Sequence, residues 1–212
     1  MMELYVRRIN LELLDRTFTP MTHTTSPSRR SFINEIAFQL FCDSPDLNNL
    51  GQVEARSIAS ARRLILGLER ADVVVDPTED EMNDAREQVR RLNLYFFRIV
   101  ARGSIVEVKP RFSGCGIIDS CEGDVYCEGQ LFEVKAGDRN VRSIDLRQLL
   151  VYAALNYSEG GRPIHSIGLF NPRIGTHFSS KLDEFCTEVS GRPATELLAE
   201  IVQVLSGGDI SR

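Results

Sequence analysis

Residues 123–135 read Gly-Asp-Val-Tyr-Cys-Glu-Gly-Gln-Leu-Phe-Glu-Val-Lys, two short runs of strand formers on either side of the turn-prone pair Glu128-Gly129. A two-residue hairpin turn at that pair sets Cys127 opposite Gln130, Tyr126 opposite Leu131, Val125 opposite Phe132 and Asp124 opposite Glu133. The two carboxylates then become cross-strand neighbours with Cβ atoms roughly 5 Å apart. Because strand side chains alternate between faces, Glu133 and Lys135 share one face while Phe132 and Val134 take the other. Two acids and an amine therefore converge. Bare carboxylates at that spacing repel, and one retains a proton unless a cation neutralises the pair. A hard divalent ion with a preference for oxygen ligands, Mg²⁺ or Mn²⁺, suits such a site.

The lysine in this motif is conspicuous because only three of the 25 basic residues are lysines, namely Lys109, Lys135 and Lys181. The formal charge of −5 argues against a chain that coats nucleic acid indiscriminately, without excluding a local basic surface. At 212 residues and 42% hydrophobic content the chain is long enough to build one well-packed domain. The expected organisation is an N-terminal helical elaboration over residues 1–75 packed on a core over residues 76–212. Five cysteines, an odd number, fit a reducing compartment better than a disulfide framework, and no Cys-x-x-Cys pair suggests zinc. The three histidines, His23, His165 and His177, have neither ligand spacing nor a companion Cys pair. No run approaches the roughly 20 apolar residues of a membrane span, and the first residues lack the apolar core of a signal peptide. The expectation is a cytoplasmic protein with no membrane partner.

Apolar residues at helical spacing predict helices over 31–42 and 53–68, the latter carrying Arg62, Arg63 and Arg70 near its end. Residues 73–75 are a candidate extended piece. Asp76-Pro77-Thr78-Glu79 predicts a helix start with Asp76 as N-cap and Pro77 in the first position, the helix running to about Arg98. Strands are expected over 104–109 and 164–170, with Ile117-Ile118 extending the first toward the hairpin. Further helices are expected over 143–157, capped by Ser143, and over 181–189 and 194–205. The order predicts an α/β domain with a small mixed sheet flanked by helices.

The segment 116–152 resembles the PD-(D/E)xK nuclease superfamily, whose pattern is an Asp opening one strand, Glu-x-Lys on the next, and a following helix that often carries Gln-x-x-x-Tyr. Asp124 matches the first acid, Glu133-Val134-Lys135 the second motif, and Gln148 with Tyr152 the helical one. Gly123 stands where the family pattern has Pro. The resemblance implies a restriction-endonuclease-like core in which Asp124, Glu133 and the Val134 main-chain oxygen hold Mg²⁺ or Mn²⁺. Lys135 would face the attacked phosphate, and Gln148 and Tyr152 would reach the site or the DNA backbone. For the helix-borne extra acid of the family, Glu35 is the first choice and Glu87 the rival. Asp119 competes with Asp124, since Gly116-Ile117-Ile118-Asp119 resembles the Gly-x-x-Asp of the exonuclease branch; the hairpin count favours Asp124.

A Glu-x-Lys triplet alone carries little weight, because Glu107-Val108-Lys109 is a second copy. That copy lacks a preceding paired acid and is followed by Pro110, so it reads as strand surface. Arg142 and Arg147 at the start of the post-hairpin helix, and Arg173 after the last expected strand, are phosphate-contact candidates. No Gly-x-x-x-x-Gly-Lys-Ser/Thr loop is present, so any ATP-driven step needs a partner ATPase. The expected function is a Mg²⁺-dependent DNA nuclease, a subunit or effector of a bacterial restriction or anti-phage system, with a homodimer as one arrangement that cuts two strands. The alternative is a binding or assembly subunit that keeps the fold and does no chemistry.

Overall fold

The computed structural model describes residues 1–22, 25–45, 47–67 and 75–207. His23, the expected end of the second helix at Leu68, Arg70, and Val73 and Val74 of the expected extended piece lie outside the described residues. Among these, seven α-helices enclose a mixed six-stranded sheet. The helices are α1 (Met2–Arg8), α2 (Arg30–Asp43), α3 (Leu50–Leu66), α4 (Glu79–Asn93), α5 (Ser143–Ser158), α6 (Leu182–Ser190) and α7 (Ala194–Gly207). The strands are β1 (Asp15–Arg16), β2 (Val106–Val108), β3 (Arg111–Phe112), β4 (Cys121–Glu122), β5 (Val125–Cys127), β6 (Gln130–Val134), β7 (Ser166–Asn171) and β8 (Thr176–Lys181). The sheet order is β1-β8-β7-β6-β5-β2, with β3 and β4 forming a separate two-stranded ribbon. β6 and β7 run parallel, joined through α5, and the other neighbours are antiparallel.

The hairpin falls in the expected register, Val125 with Phe132, Tyr126 with Leu131 and Cys127 with Gln130. Glu128 and Gly129 both have positive φ, +48° and +78°, the signature of a type I′ turn whose twist matches that of the flanking strands. Gly129 is required twice over, since a Cβ there would also lie 2.7 Å from the His165 ring. Alternation along β6 then divides the core. Leu131 faces a cluster built from α1, α5, α6 and α7, with Leu146, Leu149, Phe185 and Leu198 among its buried members. Phe132 and Phe170 face a second cluster from α2, α3 and α4. There Tyr95 stacks on Phe170 with ring centroids 4.0 Å apart.

Several local expectations need correction. The α4 N-cap is Thr78, not Asp76: its hydroxyl accepts from Glu81 N at 3.3 Å while Glu81 Oε2 accepts from Thr78 N at 3.0 Å. This reciprocal box satisfies two helix-end donors, whereas Pro77 at the first helical position would satisfy none. Beyond Asn93 the helix widens into a π-helical stretch, Leu94–Val100. Ile117 and Ile118 do not prolong β2; the chain instead doubles back so that β3 pairs with β4. Gly123 donates its N–H to Pro110 O at 2.9 Å, a bond proline cannot make. Strand β8 was not anticipated; among the described residues before Asp76, β1 pairs with β8, α1 joins one helical face, and α2 and α3 form much of the other.

Candidate active site

The type I′ turn brings Asp124 and Glu133 together at the end of the β5–β6 hairpin, beneath α5. Glu133 is 2% exposed and Asp124 half-buried. The two carboxyl groups are close enough that each acts on the other's ionisation. Asp124 Oδ2 accepts the Val134 N–H at 2.7 Å, which pins the aspartate to the strand that carries the glutamate. Glu133 Oε2 accepts from Lys135 Nζ at 2.9 Å. The other oxygen, Oε1, is buried with no hydrogen-bond partner among the described residues. A proton held between the two acids or a cation would satisfy it.

From Lys135 the network runs into α5. Its amine also donates to Gln148 Oε1 at 2.9 Å, and Gln148 Nε2 donates to the Tyr152 hydroxyl at 2.7 Å. Gln148 and Tyr152 are one helical turn apart, which is why a single face carries both. Tyr152 is almost buried, its ring stacked on Phe112 with centroids 5.3 Å apart. Of the two expectations for Tyr152, the site or the DNA backbone, its hydroxyl takes the first by holding Gln148, and its ring packs in the core.

The electrostatics follow from burial. Desolvation first, and the Asp124 carboxylate second, raise Glu133 from an ordinary 4.5 to about 8, against the pull of Lys135. Asp124 is also raised by burial, while the Val134 N–H and Lys135 act to lower it. Tyr152 is pushed up to about 12 by burial, with both acids contributing. Two acids that resist ionisation together, one with an unsatisfied buried oxygen, form a donor set suited to a hard divalent ion. Asp124, Glu133 and the Val134 main-chain oxygen are the groups available to hold it.

Glu35 on α2 does not complete a three-acid cluster, since among the described residues no three His, Cys, Asp or Glu side chains gather into a metal-binding group. Its carboxylate instead accepts from Gln39 Nε2 at 2.7 Å. Its field nonetheless reaches the site: Glu35 is raised by burial, lowered by Gln39 and Lys109, and raised again by Asp124. The rival Glu87 is paired with Arg90 and Arg91 on α4. Asp119 is exposed in the loop before β4.

Arg173 also needs correction. It is fully buried, bonded through two nitrogens to Asp84 at 2.9 Å and through two to Asn34 Oδ1 at 2.8 and 3.2 Å. A guanidinium committed in this way joins α2, α4 and the β7–β8 turn and has no face left for phosphate. Arg142 and Arg147, by contrast, are exposed at the start of α5, and their side chains form no ion pair with the described residues.

Sequence reasoning missed Lys109. The second Glu-Val-Lys copy divides: Glu107 pairs with Arg162, while Lys109 turns toward the site. Its φ of +56° is unusual for a residue with a side chain, and more so before proline. Its main-chain N–H donates to Asp124 O at 2.9 Å, and its amine reaches Gln39 Oε1 at 3.4 Å. Only the scarcity of lysine in the chain signalled it.

Comparison of the chain with protein-family profiles, with curated proteins and with solved structures gives no match.

Proposed function

We propose that this chain is a metal-dependent nuclease that hydrolyses DNA phosphodiester bonds on a restriction-endonuclease-like core of the PD-(D/E)xK type. The observation that carries the reading is the hydrogen-bonded chain Glu133, Lys135, Gln148, Tyr152, with Asp124 tied to the next residue of the same strand and a buried Glu133 oxygen left unpartnered. A divalent ion bound there would supply Lewis-acid polarisation of a phosphoryl oxygen and a more acidic bound water. Lys135 keeps one of its three ammonium donors beyond the two bonds it makes, and that donor serves a phosphoryl oxygen. Gln148 fixes the amine so that little reorganisation is needed. Arg142 and Arg147 supply phosphate contacts that hold the strand in register. By analogy of fold, the setting is a bacterial restriction or anti-phage system in which a partner ATPase provides any energy-driven step.

The test is cleavage of supercoiled plasmid in Mg²⁺ by the wild type, Glu133→Ala and Lys135→Ala. The reading expects nicking by the wild type and its loss in both variants with unchanged folding. Undiminished cutting by both variants would show the site to be elsewhere. A second reading, a non-catalytic assembly subunit, has its own observation: the Lys135 amine already stands 2.9 Å from Glu133 in the folded chain, where a cation would otherwise sit. It expects folded wild type that neither binds Mn²⁺ nor cuts.

A further inference from the structure

A cavity of about 460 Å³ opens at the carboxyl ends of β6 and β7, beside the proposed catalytic amine. Its size falls within the roughly 300–1,000 Å³ of small-molecule sites. The position is physically favoured: in open α/β sheets, ligands collect beyond the carboxyl ends of parallel strands, and β6 and β7 are the parallel pair. In a chain of net charge −5, the lining carries Arg16, Lys135 and Arg139 against the single acid Asp145. Arg139 is locked on Asp145 by two bonds of 2.7 Å. Arg16 is held only through one nitrogen, to Ile174 O at 3.0 Å, and its remaining guanidinium donors are unbonded within the described residues. The Asn140 side-chain amide, also on the lining and exposed, has no partner among them either. Leu14, Val141 and Leu169 make an apolar wall.

We propose that this cavity binds a nucleoside 5′-monophosphate unit, with the phosphate on Arg16, the base against the apolar wall and its polar edge on Asn140. A free phosphate ion would leave the wall facing water. A purely apolar ligand would strip water from Arg16 without replacing it, which is unfavourable for a charged group. A ligand that is anionic at one end and flat at the other meets both demands, and a guanidinium fork suits phosphate oxygens. The choice of a nucleotide rests on the nuclease reading and deepens it: a pocket sharing Lys135 with the acid pair would seat the end nucleotide of a strand.

The test uses the full chain carrying Glu133→Ala, which cannot cut under that reading, and calorimetry without metal. The probes are dAMP, inorganic phosphate, deoxyadenosine, and a short single strand with either a 5′-phosphate or a 5′-hydroxyl. dAMP should bind at least about tenfold more tightly than phosphate or deoxyadenosine, and Arg16→Gln should cost about tenfold or more, the worth of a charged hydrogen bond. Because Arg16 is exposed, that variant should melt as its parent does; Asn140→Ala provides a second, weaker loss. A 5′-phosphorylated strand that competes with dAMP while the 5′-hydroxyl strand does not identifies a strand end as the source; equal, weak competition by both identifies the free nucleotide. The proposal falls if dAMP does not bind, if phosphate alone binds as well, or if binding ignores both substitutions. Should dAMP bind as described while the wild type never cuts DNA, the pocket stands and the nuclease reading falls.

Discussion

Replacing Glu133 with glutamine should stabilise the folded chain and, under the nuclease reading, abolish cleavage. Glu133 is 2% exposed, and burial together with Asp124 raises it from 4.5 to about 8. An unfolded glutamate releases its proton near its ordinary value, so between pH 4.5 and 8 the folded protein retains a proton that the unfolded chain has given up. Stability must therefore fall as pH rises through that window. At about 1.4 kcal/mol per pH unit, the accumulated penalty by pH 7 is on the order of 3 kcal/mol. Glutamine keeps the shape, carries no charge to desolvate, and offers an N–H to the Asp124 carboxylate. Urea unfolding followed by circular dichroism, with chelator present, should show Glu133→Gln more stable than the wild type by about 2–3 kcal/mol at pH 7, a gap that closes toward pH 4.5. Adding Mn²⁺ should stabilise the wild type and leave the variant unmoved. A variant less stable than the wild type at pH 7, or a gap independent of pH, would refute the reasoning.

Two further outcomes follow from the same structure. Arg173→Ala strands the buried Asp84 carboxylate and should cost about 3–5 kcal/mol in urea unfolding; a loss under about 1 kcal/mol would mean that the cluster is not the joint between α2, α4 and the β7–β8 turn. Under the nuclease reading, Arg147→Gln should reduce the slope of log affinity against log salt for DNA by about one, with Arg147→Lys restoring it. An unchanged slope would remove Arg147 from the proposed phosphate contacts.

The hairpin was legible because its information is local. Glu128-Gly129 defines the turn, alternation defines the faces, and together they give Asp124 and Glu133 their register. Helices α2 and α5 were legible for the same reason, through apolar spacing. Strand β8 was not, since Thr-His-Phe-Ser-Ser-Lys has one buried apolar residue, Phe178, and its pairing is dictated by β7 beside it. Arg173 misled because an arginine after a strand looks like a surface cation; its partners Asn34 and Asp84 lie 139 and 89 residues away in sequence. Lys109 was misread because a left-handed backbone angle before proline cannot be deduced from an alternating strand pattern. Where a side chain's role depended on distant partners, local pattern gave the wrong answer.

The central claim is that Asp124 and Glu133 form a cation site, and calorimetric titration of the wild type and Asp124→Asn with Mn²⁺ tests it most directly. The account predicts saturable binding by the wild type that Asp124→Asn loses while its fold persists. Absence of binding by well-folded wild type at millimolar Mn²⁺, or equal binding by Asp124→Asn, would contradict it.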